Sequence, residues 1–221
     1  MINMTKDKTM LALKESKFYQ RLLIFNTVAI ALSGSRGIGV EGEYSDYDIV
    51  VITNDERVSL INSDLKTEYL LTKDGKKIHW YYDDYSTILS DEYAQNMYQE
   101  LFIIFLNDEN IIEIFDQEKY DNLIRNKERV FLKGVESLYR KCRKSILDIL
   151  SDNSKLKLKN TKDKILYRLY FSEMILSGEE LDKEFLKRIK SLKYSNEILS
   201  DDELNRCYNL LLDLKNRFEK D

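Results

Sequence analysis

Residues 27–53, TVAIALSGSRGIGVEGEYSDYDIVVIT, decide how the rest of the chain is read. The run opens on an apolar segment, Val28 to Leu32, that ends in Ser33-Gly34-Ser35-Arg36-Gly37. A loop containing Gly39 and Gly42 follows, then Ser45-Asp46-Tyr47-Asp48 and a second apolar segment, Ile49 to Ile52. Short apolar runs rich in β-branched residues and bounded by Gly and Ser read as buried strands. The unit is therefore strand, glycine-rich loop, strand, with two carboxylates where the second strand begins.

Side chains alternate across a strand, so Asp46 and Asp48 share one face while Tyr47 and Ile49 point the other way. Two carboxylates this close repel each other when ionised, and more strongly as water is excluded. A divalent cation between them relieves that repulsion. Mg²⁺ suits the position, because it takes one or two carboxylates and completes its shell with water and substrate phosphates. The Gly34-Ser35 turn brings backbone N–H groups and a hydroxyl within reach of such phosphates, since glycine leaves room for another group to approach. The competing reading is a polar loop capping a sheet, with both aspartates solvated. Each piece alone is common. The joint order of strand, Gly-Ser, about ten loop residues, Ser-Asp-x-Asp and strand points to phosphate and metal.

That order resembles the signature of the DNA polymerase β-like nucleotidyltransferase superfamily, carried here by Gly34-Ser35-Arg36-Gly37 and Ser45-Asp46-Tyr47-Asp48-Ile49-Val50-Val51. The resemblance covers about 25 residues strictly and, with flanking elements, the first 116. It implies transfer of a nucleoside monophosphate from a nucleoside triphosphate, ATP being the first candidate, to an acceptor hydroxyl. It places Mg²⁺ on Asp46 and Asp48 and the triphosphate on Gly34, Ser35 and Arg36. It also implies a third carboxylate on a later strand. A P-loop enzyme would instead carry G-x-x-x-x-G-K-[ST], and the chain has no such run.

The chain has 221 residues, 43% hydrophobic and 33% charged, with net charge −4. That composition can bury a core and is not that of a disordered chain. The acidic balance argues against general nucleic-acid binding. Charge is uneven, at −9 over residues 1–120, +8 over 121–170 and −3 over 171–221. The basic middle either sets a field across a cleft or is a set of solvated helix faces. Cys142 and Cys207 lack metal-ligand spacing and read as reduced thiols of a cytoplasmic protein. No apolar run is long enough to span a bilayer, and the polar N-terminus is unlike a secretory signal. There is no proline to interrupt helices or build a stiff linker.

Residues 8–25 are expected to form a helix ahead of the strand–loop–strand unit. Thr67 to Thr72 reads as a strand, joined through Lys73-Asp74-Gly75-Lys76 to a returning strand from Lys77 to Asp83, since Asp-Gly between such runs is a hairpin signal. Ile78, Trp80 and Tyr82 share one face of that strand, and His79, Tyr81 and Asp83 the other. A helix is expected from Ser90 to Phe105 and a last strand from Asn110 to Phe115. Beyond it the pattern is helical. Phe131, Val135, Leu138, Cys142, Ile146 and Ile149 form one stripe, with Arg140, Lys141, Arg143 and Lys144 around it. Ser151 to Ser154 breaks that helix. Others follow over 161–177, closed by Gly178, over 180–190, and from Ser200, whose spacing to Glu203 makes a capping box.

In the superfamily's layout the third carboxylate sits early on the strand after the hairpin, between two core residues. Here that slot, flanked by Ile78 and Trp80, holds His79. Three readings compete. In the first, His79 takes the proton from the acceptor hydroxyl, a task for which a neutral imidazole is competent near pH 7. In the second, Asp83 is the acid, although four strand residues place it about 13 Å further along, and Asp84 has the wrong parity unless the strand has ended. In the third, the site binds nucleotide and turns over poorly. Arg36 either donates to phosphate or braces the loop by pairing with Glu41 or Glu43. Tyr44 and Tyr81 either stack on a base or pack.

The expected architecture is α/β, a small mixed sheet with flanking helices over residues 1–116 followed by an all-helical bundle over 117–221. Nucleotide and acceptor are expected in a cleft between the two. A catalytic domain followed by a helical bundle is similar to the aminoglycoside and lincosamide nucleotidyltransferases, which implies a small hydroxylated acceptor. The segment 164–191 also loosely resembles the helical tail of RNA-repair-type members. A protein-modifying or antitoxin-type enzyme and a non-catalytic nucleotide-binding module are the alternatives. The sequence leaves the oligomeric state open.

Overall fold

Strand β1 (Thr27–Ser33) carries no charged residue, and all seven of its residues are buried. Strand β2 (Tyr47–Thr53) is buried everywhere except at Asp48. Burial at both odd and even positions means that both faces of these strands are covered, unlike a strand with one wet face. Each fully buried Val, Ile or Leu side chain contributes about 1.5–3 kcal/mol, so the two strands form the most strongly driven part of the sheet. The computed structural model describes residues 11, 14, 19, 25–37, 39, 41–43, 45–55, 70–71, 77–90, 108–157, 187–188, 191 and 199–219.

Three further strands, β3 (Leu70–Leu71), β4 (Lys77–Asp84) and β5 (Ile111–Ile114), complete a mixed sheet of order β3-β4-β2-β1-β5. β1 runs antiparallel to β2 and β5, β3 runs antiparallel to β4, and β2 and β4 are parallel. The mixed sheet with helices is the α/β class expected from the sequence. One core cluster joins Ile30, Leu32, Tyr47, Ile49, Val51, Ile78 and Tyr82, with Tyr19, Phe25, Ile112 and Phe115 packed against it. Tyr19 also donates a 2.8 Å hydrogen bond to Glu113. Burial first, and then that carboxylate, push its phenol up to about 12.

Between β1 and β2 lies a single helical turn, α1 (Gly34–Gly37). After β4 comes a short helix, α2 (Tyr85–Leu89). Asp84 caps it, accepting from Thr87 N at 2.9 Å, from Thr87 Oγ1 at 3.1 Å and from Ser86 Oγ. The cap sits at the end of the strand and satisfies a free N–H group of the first turn. Ser90 closes α2, its N–H bonded to the Thr87 carbonyl at 3.0 Å. Residues 91–105 of the expected helix lie outside the described residues, as do 161–178 and most of 8–25 and 180–190.

The chain divides into two compact units, Met1–Phe131 and Leu132–Asp221. In the first, α3 (Gln117–Arg125) is capped by Asp116 and precedes the start of the long helix α4 (Lys127–Ser151). In the second, Val135, Leu138, Tyr139, Ile146 and Ile149 of α4 are buried, and Cys142 is half-buried. That stripe matches the sequence periodicity. α5 (Asp201–Phe218) begins with the expected capping box, Ser200 and Glu203 satisfying each other's backbone N–H groups. Its buried residues Cys207, Leu210, Leu211 and Leu214 make one helical face. No helix among the described residues is long and apolar enough to cross a membrane.

Candidate active site

β2 and β4 are parallel, so both begin at one end of the sheet, and antiparallel β1 ends there. The register makes this a meeting point, with Ser33 paired to Asp48 across β1 and β2, and Asp48 paired to His79 across β2 and β4. Residues paired in register project to the same face. Asp48 and His79 therefore stand side by side, with Asp46 one pleat before Asp48. The His79 Nε2 atom lies 3.5 Å from Asp46 Oδ2, and Nδ1 lies 3.9 Å from Asp48 Oδ1. The three side chains are 40% (Asp46), 24% (Asp48) and 31% (His79) exposed, while the His79 Nε2 atom itself is buried.

Gly34 sits directly against this pair. An added Cβ at Gly34 would fall 2.0 Å from Asp48 Oδ2 and 2.7 Å from its Cγ, and the backbone is left-handed at φ +61°. Both features demand glycine. The close approach that the sequence reading reserved for phosphate is made, in the protein itself, by the Asp48 carboxylate. Ser35 follows as the second residue of α1 and is half-buried.

Arg36 braces the loop, but through partners other than Glu41 or Glu43. Its Nε donates to the Ser45 and Asp46 carbonyls at 3.1 Å each, and Nη2 donates to Ser45 O at 2.6 Å. The guanidinium also lies 4.2 Å from the centre of the Tyr47 ring, a cation–π contact. Ser45 Oγ accepts from Gly42 N at 2.9 Å. These bonds hold the backbone of Ser45-Asp46-Tyr47, and with it the position of Asp46.

Tyr81, expected to stack on a base or to pack, reaches Asp48. Its hydroxyl donates to Asp48 Oδ1 at 3.4 Å. Its signal was its parity with His79, two residues earlier on the same strand. Asp83, the alternative acid, pairs with Ile52 and so lies four residues down the strand from the Asp48–His79 pair. Asp84 is engaged in capping α2.

Among the described residues, no group of three or more His, Cys, Asp or Glu side chains is arranged to hold a metal ion alone. Two carboxylates on one face could supply the protein share of a Mg²⁺ site completed by triphosphate oxygens and water. The donor set thus fits a cation that arrives with nucleotide. A search of curated proteins finds no match for the chain. A family model described as a nucleotidyltransferase domain matches residues 15–167, more than half of the 221. The chain belongs to that family, the nucleotidyltransferase domain of the DNA polymerase β-like superfamily.

Proposed function

We propose that the protein transfers a nucleoside monophosphate from a nucleoside triphosphate, ATP first among the candidates, to the hydroxyl of a small acceptor of aminoglycoside-like chemistry. The observation that carries this is the in-register pairing of Asp48 with His79, with Asp46 at 3.5 Å from the same imidazole and Gly34 against Asp48. In this reading Asp46 and Asp48 hold Mg²⁺, which when bound neutralises triphosphate charge and polarises the α-phosphate. Gly34 and Ser35 offer backbone N–H groups to the phosphates, and Arg36 keeps the loop that carries Asp46 in place. The acceptor oxygen bonds to the α-phosphorus as the bond to the β-phosphate oxygen breaks. Pyrophosphate leaves, and the acceptor proton passes to His79.

The presence of an imidazole and a phenol on β4 beside Asp48 favours one second reading, a nucleotide-binding module with poor turnover. Incubation with labelled ATP, CTP, GTP or UTP and Mg²⁺, with and without cell extract, separates the two. The enzyme releases pyrophosphate and labels an acceptor. Asp46→Asn lowers that release by about two orders of magnitude, since the bound cation supplies several kcal/mol of charge stabilisation. Nucleotide binding without turnover across a broad acceptor panel would support the module instead. A labelled protein band would make the acceptor a partner protein, as in antitoxin-type members. If no triphosphate binds with metal, both readings fail.

A further inference from the structure

We infer that this site takes one divalent cation per bound nucleotide, because His79 and Tyr81 close the flank of Asp48 on which a second cation would need its ligands. The inference rests on the nucleotidyl-transfer reading and concerns the metal content of the same site. Paired catalytic cations sit about 3.5–4 Å apart and share bridging carboxylates. Each Mg²⁺ demands near-octahedral oxygen coordination.

One oxygen of Asp48 faces Gly34 and the other faces β4. Oδ2 lies against Gly34, where an added Cβ would be 2.0 Å away. Oδ1 accepts from the Tyr81 hydroxyl at 3.4 Å and has His79 Nδ1 at 3.9 Å. The other ring nitrogen lies 3.5 Å from Asp46 Oδ2, so one imidazole spans both aspartates. A second Mg²⁺ would need a carboxylate oxygen from β4 beside Asp48. That strand presents an imidazole there, a ligand suited to Zn²⁺, Cu²⁺ or Ni²⁺ rather than Mg²⁺. The other carboxylates of β4 do not substitute. Asp83 is paired with Ile52, four residues from Asp48, and Asp84 caps α2. The cation that binds is then the one carried by the triphosphate, completed by Asp46 and Asp48. The flank where a second ion would sit is lined by the His79 ring and the Tyr81 hydroxyl.

Mn²⁺ and α,β-methylene ATP provide the test. Equilibrium dialysis counts Mn²⁺ against bound analogue, and EPR reports whether bound ions are spin-coupled. One uncoupled Mn²⁺ per analogue is expected for the wild type and for His79→Asn. His79→Asp adds a carboxylate in register with Asp48 and is expected to take two, with a coupled spectrum. Two Mn²⁺ per analogue in the wild type would overturn the inference and leave the nucleotidyl-transfer reading standing. So would a His79→Asp protein that binds the analogue with only one. Failure of the analogue to bind at any metal concentration would overturn both. If His79→Asp does not fold, the wild-type ratio decides the matter alone.

Discussion

Gly34→Ala tests whether the glycine before Ser35 exists to seat Asp48. The added Cβ would lie 2.0 Å from Asp48 Oδ2, whereas ordinary contact begins at 3.4 Å, so the carboxylate must retreat by about 1.4 Å. Displacing a reacting group by about 1 Å costs on the order of 100-fold in rate. The residue also has φ +61°, and a left-handed conformation costs a non-glycine residue about 1–2 kcal/mol. Gly39 separates the two effects. It has φ +75°, but an added Cβ there would meet nothing within 4 Å. Gly39→Ala should therefore lose about 1 kcal/mol of stability and little function. Gly34→Ala should lose at least as much stability and also about 100-fold in pyrophosphate release, with weaker binding of Mn²⁺ and α,β-methylene ATP by calorimetry. Thermal unfolding followed by circular dichroism reads the common strain, and the functional assays read the contact. Equal activity and equal metal affinity in the two variants would refute the claim that Gly34 positions Asp48.

Tyr81→Phe removes the 3.4 Å hydrogen bond to Asp48 and leaves the ring. A bond this long, although made to a carboxylate, is worth about 0.5–1.5 kcal/mol, so Mn²⁺ affinity in the presence of the analogue should fall about 2- to 10-fold with the fold intact by circular dichroism; an unchanged affinity would remove Tyr81 from the site. In the second unit, the Arg188 guanidinium forks onto Glu203, its Nη2 reaching Oε2 at 2.7 Å, and holds that carboxyl down at about 2 from its ordinary 4.5, with help from Ser200. A depressed carboxyl contributes stability that is present above the unfolded value and lost as pH falls through the folded one, here between about 4.5 and about 2. The pair is partly exposed, so no more than about 1 kcal/mol is at stake. Urea unfolding at pH 5 and at pH 2.5 should show a steeper acid loss for the wild type than for Glu203→Gln, and parallel losses would count against the pair.

What the sequence made legible follows from the range of the interactions involved. β1 and β2 were readable because their apolar runs are unbroken and both faces are buried, and β5 because four strand residues follow the turn at Asn110. The capping box at Ser200 was readable because it is a contact between residues three apart. α2 was not, because five residues are too few to show a helical period and its start signal, Asp84, sits at the end of a strand. The hairpin reading produced the right pairing of β3 with β4. It could not have shown that β4 then runs parallel to β2, since that neighbour is fixed by packing between distant segments.

The site divides along the same line. Parity within a strand put Asp46 beside Asp48, and put His79, Tyr81 and Asp83 on one face. Parity is blind to register, and register is what separates the candidates, because in a parallel pair a slip of four residues would have brought Asp83 to Asp48 in place of His79. The observed pairing of Asp48 with His79 sets the distances to both ring nitrogens and brings the Tyr81 hydroxyl within reach. Gly34 shows the limit most clearly. A glycine at the end of a strand announces that something comes close to the backbone, and phosphate was the natural guest to assign. The neighbour that comes close is the carboxylate of Asp48. The glycine thus acts on the proposed metal ligand as well as on the loop, and a substitution there should be felt first in the cation and only through it in the nucleotide.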